Sequence, residues 1–273
     1  MIFLDIQGRQ MPALGFGTWQ LSGEICTRAV QTALDIGYRH IDTAQIYENE
    51  ADVGRAIAGS TIPRRELFVT TKIWTTHFEP PHVITSMEES LKKLRMDYVD
   101  LLLMHWPNPE VPLEQTLHAL QELRRKGKTK AIGISNFPVR LMKEAVEDYL
   151  APVACNQIEY HALLSQRAVL EYAHEHNIII TAYSPLARGR LAKHPLLVSI
   201  GEKHDKTASQ VALRWLIEQE RVAAIPKAAS EKNARLNFNI FDFSLSDDDM
   251  YAISQLHNNT RVVDPSFAPE WDK

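Results

Sequence analysis

Four residues that can carry or transfer protons lie in or just after short apolar segments of the chain. Asp42, Lys72 and His105 each end or follow such a segment, and Tyr47 lies in the polar stretch after Asp42. A tyrosine has a pKa of about 10, but a neighbouring Lys72 would lower it, and Asp42 would keep that lysine charged. A neutral His105 would orient a carbonyl oxygen for protonation. These residue types predict the reduction of C=O to CH–OH, which requires a bound hydride donor.

Other interpretations of these residues remain open. A histidine or lysine after an apolar run is often a hydrogen-bonded core residue or a solvated one. A Schiff-base aldolase would use Lys72, but it gives no reason for Tyr47. The His-x-His pair of His174 and His176 falls at the end of a predicted helix, where a solvated turn is expected, so we predict no metal site.

The elements that must position these residues alternate between strands and helices. Eight apolar segments are predicted strands: residues 13–17, 40–42, 67–72, 99–104, 131–135, 154–158, 178–183 and 222–225. Apolar residues at helical spacing, such as Val83, Met87 and Leu91, fill the intervals between them. Eight such units in roughly 250 residues predict a (β/α)8 TIM barrel, whose strand ends share one mouth.

Two additions lie outside the eight units. Residues 2–12 predict an N-terminal β-hairpin that could close the bottom of the barrel, and residues 246–256 predict a C-terminal helix followed by a tail. Asn49 is expected to cap the helix after Tyr47. No low-complexity linker interrupts the chain, so we predict one domain over residues 1–273.

A doubly wound dinucleotide-binding sheet is the rival architecture. Such a sheet usually carries GxGxxG after its first strand. The candidate stretch "LGFGTWQL" provides Gly15 and Gly17, but Gln20 occupies the third glycine position. The fingerprint therefore fails, and the barrel is favoured.

The composition argues against several function classes. The net charge of -4 and the pI of about 6.3 leave no basic excess for nucleic acid. Cys26 and Cys155 lack CxxC spacing, as is typical of a reduced, cytoplasmic protein. No apolar run approaches the roughly 20 residues of a membrane span, and the N-terminus lacks the pattern of a secretory signal.

The sequence resembles the aldo-keto reductase superfamily over nearly the whole chain. The stretch "GYRHIDTAQIYENEADVG" fits the first signature of the family, and "TTKIW", "LLLMHWP", "NQIEYH", "AYSPLARG" and "AIPKAAS" match further segments. The catalytic tetrad of the family falls on Asp42, Tyr47, Lys72 and His105. The resemblance implies an NADPH-dependent carbonyl reductase on a TIM barrel, acting on small molecules.

The resemblance also implies how the cofactor is bound. The nicotinamide carboxamide would be bound by Ser135, Asn136 and Gln157. Tyr183 would stack on the nicotinamide ring, Ser184 and Leu186 would follow the pyrophosphate, and Lys227 and Ser230 would hold the 2′-phosphate. Further cofactor contacts are expected at Gly17, Thr18, Trp19, Asp42, Pro185, Gly189, Ile225, Ala228, Asn233 and Asn237.

Three positions depart from the adenine-binding pattern of the family. Ala228 replaces a common serine, Asn233 replaces an arginine that stacks on adenine, and Leu236 replaces a glutamate, whereas Asn237 is kept. We therefore expect NADPH to be preferred over NADH, but to be held less tightly or less exclusively than by the full set.

The short loops "NPEVPLEQ" and "ARGRLAKHPLL" resemble those of the bacterial 2,5-diketo-gluconate reductases. They imply a monomer with an open pocket for small dicarbonyls such as methylglyoxal, keto-sugar acids such as 2,5-diketo-gluconate, and aldehydes. The expected lining is Trp19, Tyr47, Trp74, His105 and Trp106. Arg188 or Arg261 could pair with a substrate carboxylate, and the tail could add Trp271.

A different class of function also fits the resemblance. Non-catalytic, nucleotide-sensing members of the same fold, such as the potassium-channel β-subunits, also keep the tetrad. The tetrad alone therefore does not separate them from the enzymes, although the compact chain favours the enzyme.

Overall fold

The computed structural model describes residues 1–272, and within them eight parallel strands form the predicted barrel. An antiparallel hairpin of β1 (Phe3–Ile6) and β2 (Arg9–Pro12) precedes them. The barrel strands are β3 (Phe16–Gly17), β4 (His40–Asp42), β5 (Phe68–Ile73), β6 (Val99–Met104), β7 (Thr129–Ser135), β8 (Val153–Glu159), β9 (Ile179–Tyr183) and β10 (Val222–Ala224). Each strand pairs with the next in chain order, which confirms the (β/α)8 prediction.

The barrel closes where the first and last strands meet. Leu14 and Ala224 form a parallel bridge, and the Gly15 amide donates to the Ala224 carbonyl at 2.9 Å. Glycine is required at position 17 because a Cβ there would lie 2.7 Å from the carbonyl oxygen of Ile225. The seam therefore depends on close approach of two backbones.

Helices surround the strands, as their apolar spacing predicts. They are α1 (Gly23–Ile36), α2 (Glu50–Ala58), α3 (Pro80–Leu94), α4 (Leu113–Arg125), α5 (Val139–Lys143), α6 (Arg167–Glu175), α7 (Pro195–Glu202), α8 (Ala208–Glu218), α9 (Glu231–Phe238) and α10 (Asp247–Ser254). The stripe of Val83, Met87 and Leu91 on α3 is buried against the barrel. None of the helices in residues 1–272 has the length and apolarity required to span a bilayer.

The N-terminal hairpin packs into the barrel interior, as predicted. Ile6 and Met11 are buried in one cluster with Phe68, Leu101 and Ala131, which come from three barrel strands. The apolar residues of the hairpin therefore fill the barrel end opposite the mouth that holds the polar residues.

Asn49 occupies the N-cap position of α2, as predicted, but its side chain makes no capping hydrogen bond. Its buried amide donates to the Thr18 and Leu21 carbonyls at 2.9 and 2.8 Å, and its oxygen accepts from Thr43 at 2.6 Å. Because the side chain is fully buried, it ties the loop after β3 to the loop after β4 instead.

The predicted C-terminal helix forms with a shorter span. Ser246 caps α10 by accepting a hydrogen bond from the Asp249 amide at 3.1 Å, and the helix ends at Ser254 rather than at position 256. The chain beyond it runs back over the mouth of the barrel without forming a further helix or strand up to residue 272.

Candidate active site

The four residues proposed for proton transfer meet at the C-terminal mouth of the barrel. Asp42 ends β4, Lys72 lies near the end of β5, and His105 follows β6. Tyr47 ends a 3-10 turn, Gln45–Tyr47, in the loop after β4. The sequence expectation that neighbouring strand ends bring these side chains together therefore holds in the geometry.

Lys72 is the centre of this cluster. Its ammonium donates to Asp42 Oδ1 at 2.6 Å, to the Thr43 carbonyl at 2.9 Å and to the Tyr47 hydroxyl at 3.4 Å. Burial lowers the pKa of Lys72, but Asp42 and Tyr47 outweigh burial and leave that pKa above its ordinary value. Lys72 is therefore a fixed, buried positive charge.

Asp42 is held on its other side as well. Gln157 donates through Nε2 to Asp42 Oδ2 at 2.7 Å, and both side chains are buried. Because each carboxylate oxygen has its own donor, Asp42 cannot turn away from Lys72 without leaving a buried polar group unpaired.

Tyr47 departs in one respect from the sequence expectation. Lys72 acts to lower the pKa of Tyr47, as expected, but burial acts more strongly and raises that pKa above its ordinary value. The phenol is therefore fully protonated at neutral pH, with Lys72 beside it to stabilise the phenolate once the proton has left.

His105 is neutral at physiological pH. Burial, and then the charge of Lys72, hold the pKa of His105 well below its ordinary value. Its ring lies edge-on to the Tyr47 ring at 5.6 Å and to the Trp74 ring at 5.2 Å. The Asn136 side chain donates to its carbonyl at 2.9 Å, which fixes the backbone that carries the imidazole.

A cleft of about 820 Å³ opens above the cluster. The residues singled out from the sequence that line it are Gly17, Thr18, Trp19, Asp42, Tyr47, Trp74, His105, Trp106, Asn136, Gln157, Tyr183, Ser184, Pro185, Leu186, Arg188, Gly189, Ile225 and Lys227. This volume is ample for a cofactor portion and a small substrate together.

The side chains proposed to bind a carboxamide form one connected array. The Tyr183 hydroxyl donates to Asn136 Oδ1 at 2.7 Å, and Ser135 donates to the Gln157 carbonyl at 2.7 Å. Asn136 adopts a left-handed backbone with φ of 64°, which asparagine tolerates better than most residues. Ser135 lies behind the cleft rather than on its surface, whereas the others face it.

The proposed phosphate-binding residues divide between two cavities. Lys227 is exposed in the main cleft, but Ala228 and Ser230 line a second cavity of about 290 Å³ between α1 and α9. Ser230 caps α9 by accepting from the Asn233 amide at 3.3 Å. Asn233 and Asn237 lie on α9 outside the lining of both cavities.

The C-terminal tail contributes a wall of the cleft, as expected, but through residues other than the expected Trp271 and Arg261. The unpredicted lining residues are Gln20, Ile46, Pro226, Val262, Val263, Asp264, Pro265 and Phe267. Phe267 packs edge-on against Trp74 at 6.0 Å and Trp106 at 5.5 Å. The apolar segment at 262–263 is the signal that this tail is not simply solvated.

Of the three further residues expected at the pocket, Trp271 and Arg261 lie outside the lining and Arg188 lies in it. Trp271 packs behind Trp106 at 6.1 Å and does not line the cleft. Arg261 lies 3.8 Å from the Trp271 ring and outside the lining, so it is not placed to meet a substrate carboxylate. Arg188 lines the cleft and lies 5.2 Å from the Trp19 ring.

The His-x-His pair ends α6, away from the mouth. His174 lies 3.7 Å from Glu220, and His176 stacks on Tyr172 with ring centroids 4.0 Å apart. In the part of the chain that the structure describes, no group of three or more His, Cys, Asp or Glu side chains is arranged to hold a metal ion.

The comparisons with known proteins agree with this geometry. The sequence model described as "Aldo/keto reductase family" matches residues 13–258. Methylglyoxal reductase DkgB of Escherichia coli O157:H7 is 45% identical over 266 residues, covering 96% of this chain and 99% of the relative. An aldo-keto reductase of Mycolicibacterium smegmatis is 39% identical over 256 residues, covering 93% of each protein.

Solved structures are similar along nearly the whole chain. A crystal structure of a protein assigned as a 2,5-diketo-D-gluconic acid reductase B has a TM-score of 0.96 and 48% identity, covering 98% of this chain and 96% of that one. The aldose reductase of Schistosoma japonicum has a TM-score of 0.92 and 36% identity, covering 96% of this chain and 94% of that one.

Proposed function

Since the chain belongs to the aldo/keto reductase family, we propose that it reduces aldehydes and ketones of small molecules to alcohols with NADPH. The observation that carries the proposal is the contact of Tyr47 with Lys72 at 3.4 Å, beside the ion pair of Lys72 with Asp42 at 2.6 Å. A phenol next to a fixed cation, at the floor of an open cleft, is a proton donor in position to act.

Tyr47 is the proposed general acid. A carbonyl oxygen bound between the Tyr47 hydroxyl and the His105 ring receives the phenolic proton as negative charge develops on that oxygen. Lys72 then stabilises the phenolate, and Asp42 holds Lys72 in place. Neutral His105 adds no competing positive charge, so it orients the carbonyl oxygen.

The cleft fits a nicotinamide cofactor, which when bound supplies the hydride for this reduction. Asn136 and Gln157 present amide groups, and Tyr183 presents a partly exposed ring, at the side of the cleft next to the tetrad. Lys227 lies farther along the same cleft and supplies the cation that a 2′-phosphate needs. This cation is the reason for proposing NADPH rather than NADH.

Small carbonyl compounds are the proposed substrates. Trp19, Trp74, Trp106 and Phe267 make the rim of the cleft apolar, and the reacting groups lie at its floor. The similar proteins include a methylglyoxal reductase and a protein assigned as a 2,5-diketo-D-gluconic acid reductase B. We accordingly propose methylglyoxal, keto-sugar acids and simple aldehydes.

A substrate panel tests the proposal. Purified protein is given NADPH or NADH in parallel with methylglyoxal, 2,5-diketo-gluconate and aromatic aldehydes, and cofactor oxidation is followed by absorbance. Turnover with NADPH above that with NADH is expected. NADPH binding without turnover of any carbonyl compound would overturn the enzyme in favour of a nucleotide-sensing protein.

A further inference from the structure

A buried carboxylate at the end of β8 binds the C-terminal tail by its backbone. Glu159 is the last residue of β8 and is fully buried. Its Oε1 accepts from the Val262 amide at 2.7 Å, and its Oε2 accepts from the Val263 amide at 2.7 Å. One side chain of the barrel therefore holds two successive amides of the tail.

His161 supports this carboxylate from within the barrel. Its Nε2 donates to Glu159 Oε1 at 2.9 Å, and both side chains are fully buried. The Gln166 side chain donates to the Glu159 carbonyl at 2.7 Å, which fixes the backbone beneath. The carboxylate is therefore held in one orientation before the tail reaches it.

The tail leads directly from this anchor to the aromatic rim of the cleft. Val262 and Val263 line the cleft, and so does Phe267, four residues farther on. Phe267 is half exposed and is packed only edge-on against Trp74 and Trp106. Its position therefore depends on how firmly the segment before it is fixed.

The other attachments of this segment are more exposed. Asp272 accepts from the Val139 amide at 2.9 Å, and Trp271 donates to Asp264 at 2.9 Å, both in exposed surroundings. Exposed hydrogen bonds compete with water and contribute little, whereas a buried amide that loses its acceptor is left unsatisfied. Before residue 262, the Asn258 and Thr260 amides also donate to the Leu163 carbonyl, at 3.2 and 3.1 Å. Glu159 is therefore the buried polar anchor nearest to Phe267.

We propose that Glu159 is a positioning residue that fixes the tail over the cleft and thereby sets the affinity for substrates large enough to reach Phe267. The proposal rests on the proposed carbonyl reduction. Glu159 makes no hydrogen bond to the tetrad and does not itself line the cleft, although its backbone lies beside that of Tyr183, which does. Its side chain is bonded to the tail, so we expect it to act on the rim and not on the proton transfer.

The hydrogen bonds of Glu159 predict which substitution will free the tail from it. Glu159→Gln keeps the shape of the side chain but replaces one acceptor oxygen with an NH2 group. Because both partners on the tail are donors, one of the two amides then faces a donor and loses its bond. We expect the tail to loosen at 262–263 while the barrel stays folded.

Two measurements on full-length protein test this. Hydrogen exchange at the Val262 and Val263 amides is expected to accelerate about tenfold or more in Glu159→Gln. The KM for 4-nitrobenzaldehyde is expected to rise about tenfold, while kcat and the KM for methylglyoxal change little because methylglyoxal is too small to reach Phe267. Glu270→Gln, an exposed change on the same tail, is the matched control.

A double-mutant cycle separates this role from a general structural one. Phe267→Ala alone is expected to raise the same KM, and adding Glu159→Gln to it should raise the KM little further, since both act through one contact. Additive effects, unchanged exchange at 262–263, or an equal fall of kcat for every substrate would each overturn the proposal.

Two further outcomes are decisive. If Glu159→Gln does not fold, Val263→Pro removes one donor from the tail side and leaves the carboxylate intact. The same selective rise in KM is then expected, and its absence would overturn the proposal. If the wild-type protein reduces no carbonyl compound, the proposed function fails, while the exchange experiment still decides whether Glu159 anchors the tail.

Discussion

The ammonium of Lys72 lies 3.4 Å from the hydroxyl of Tyr47, a separation longer than a strong charge-assisted hydrogen bond. It also exceeds the usual range of about 2.7–3.2 Å for an N–H···O bond, so the contact is a weak one. Burial raises the pKa of Tyr47, so the phenol is protonated at neutral pH. In the proposed reaction the attraction to Lys72 becomes strong only when the phenolate forms, so the pair would favour the state after proton transfer over the state before it.

Replacing the phenol removes the proposed proton donor and little else. Tyr47→Phe is expected to lower kcat about a hundredfold or more, the range for loss of a general acid, because Lys72 and Asp42 remain paired. The dissociation constant of NADPH, followed by fluorescence, should stay within about twofold of the wild-type value. Tyr251→Phe, an exposed change on α10, is the control. Near-normal turnover in Tyr47→Phe would assign the acid to another group.

The buried ion pair of Lys72 and Asp42 predicts that replacing one partner destabilises the protein more than replacing both. Lys72→Met leaves the Asp42 carboxylate buried without its cation and is expected to cost about 3–5 kcal/mol in the free energy of unfolding. Adding Asp42→Asn removes the isolated charge and should recover part of that loss. Urea unfolding of the single and the double variant measures both free energies of unfolding. Lys126→Met breaks an exposed pair with Glu122 and should change stability little.

The proposed contact of Lys227 with a 2′-phosphate predicts a selective loss of cofactor affinity. Lys227→Ala is expected to weaken NADPH binding about tenfold or more, the worth of a hydrogen bond to a charged group, and to weaken NADH binding far less. Fluorescence titration with each cofactor gives the dissociation constants of NADPH and NADH, from which the two losses of affinity are compared. Lys232→Ala, an exposed change on α9, is the matched control. Equal losses for both cofactors would show that Lys227 does not recognise the phosphate.

Two buried histidines predict how stability depends on pH. Burial lowers the pKa of His40 and of His105 below the value of about 6.5 that an unfolded chain has. The unfolded state therefore binds more protons than the folded state below that pH, so stability is lost as the pH falls through this range. The Tm should drop between about pH 7 and pH 5.

The variant His105→Gln tests whether His105 contributes to this decrease of Tm with falling pH. It removes one of the two titrating groups, so its Tm should fall less steeply with acid than that of the wild type. His118→Gln, an exposed change on α4, should leave the slope as it is. Identical slopes in His105→Gln and the wild type would mean that His105 does not contribute.

The strands and their ends were predictable because they obey local rules. Apolar runs such as 99–104 predict buried strands, and the residue that follows each run then falls at a common mouth. The first strand was predicted as residues 13–17, but pairing along β3 is limited to Phe16–Gly17 beyond the single bridge at Leu14. The difference arises at the seam, where Gly17 closely approaches the backbone of Ile225, a contact that leaves no periodic pattern in the sequence.

Which tail residues line the cleft could not be predicted, because long-range contacts decide the path of the tail. Phe267 lies in an irregular segment, and no period relates it to Trp74 or Trp106. One signal was present in "NQIEYH", where Glu159 ends a buried strand and His161 follows it, since buried groups of these types require polar partners. Long-range contacts also explain why the Asn49 side chain makes no capping bond, since its amide is used by carbonyls distant in the chain.

The seam between Leu14 and Ala224 has a consequence for the order of folding. It joins opposite ends of the chain, and the cleft beside it takes Gly17 from the first strand and Ile225 from just after the last. Closing so long a loop is entropically costly and is a late event in chain collapse. A growing chain on the ribosome therefore has no complete cleft until its last strand, and the tail residues that line the cleft after it, have emerged.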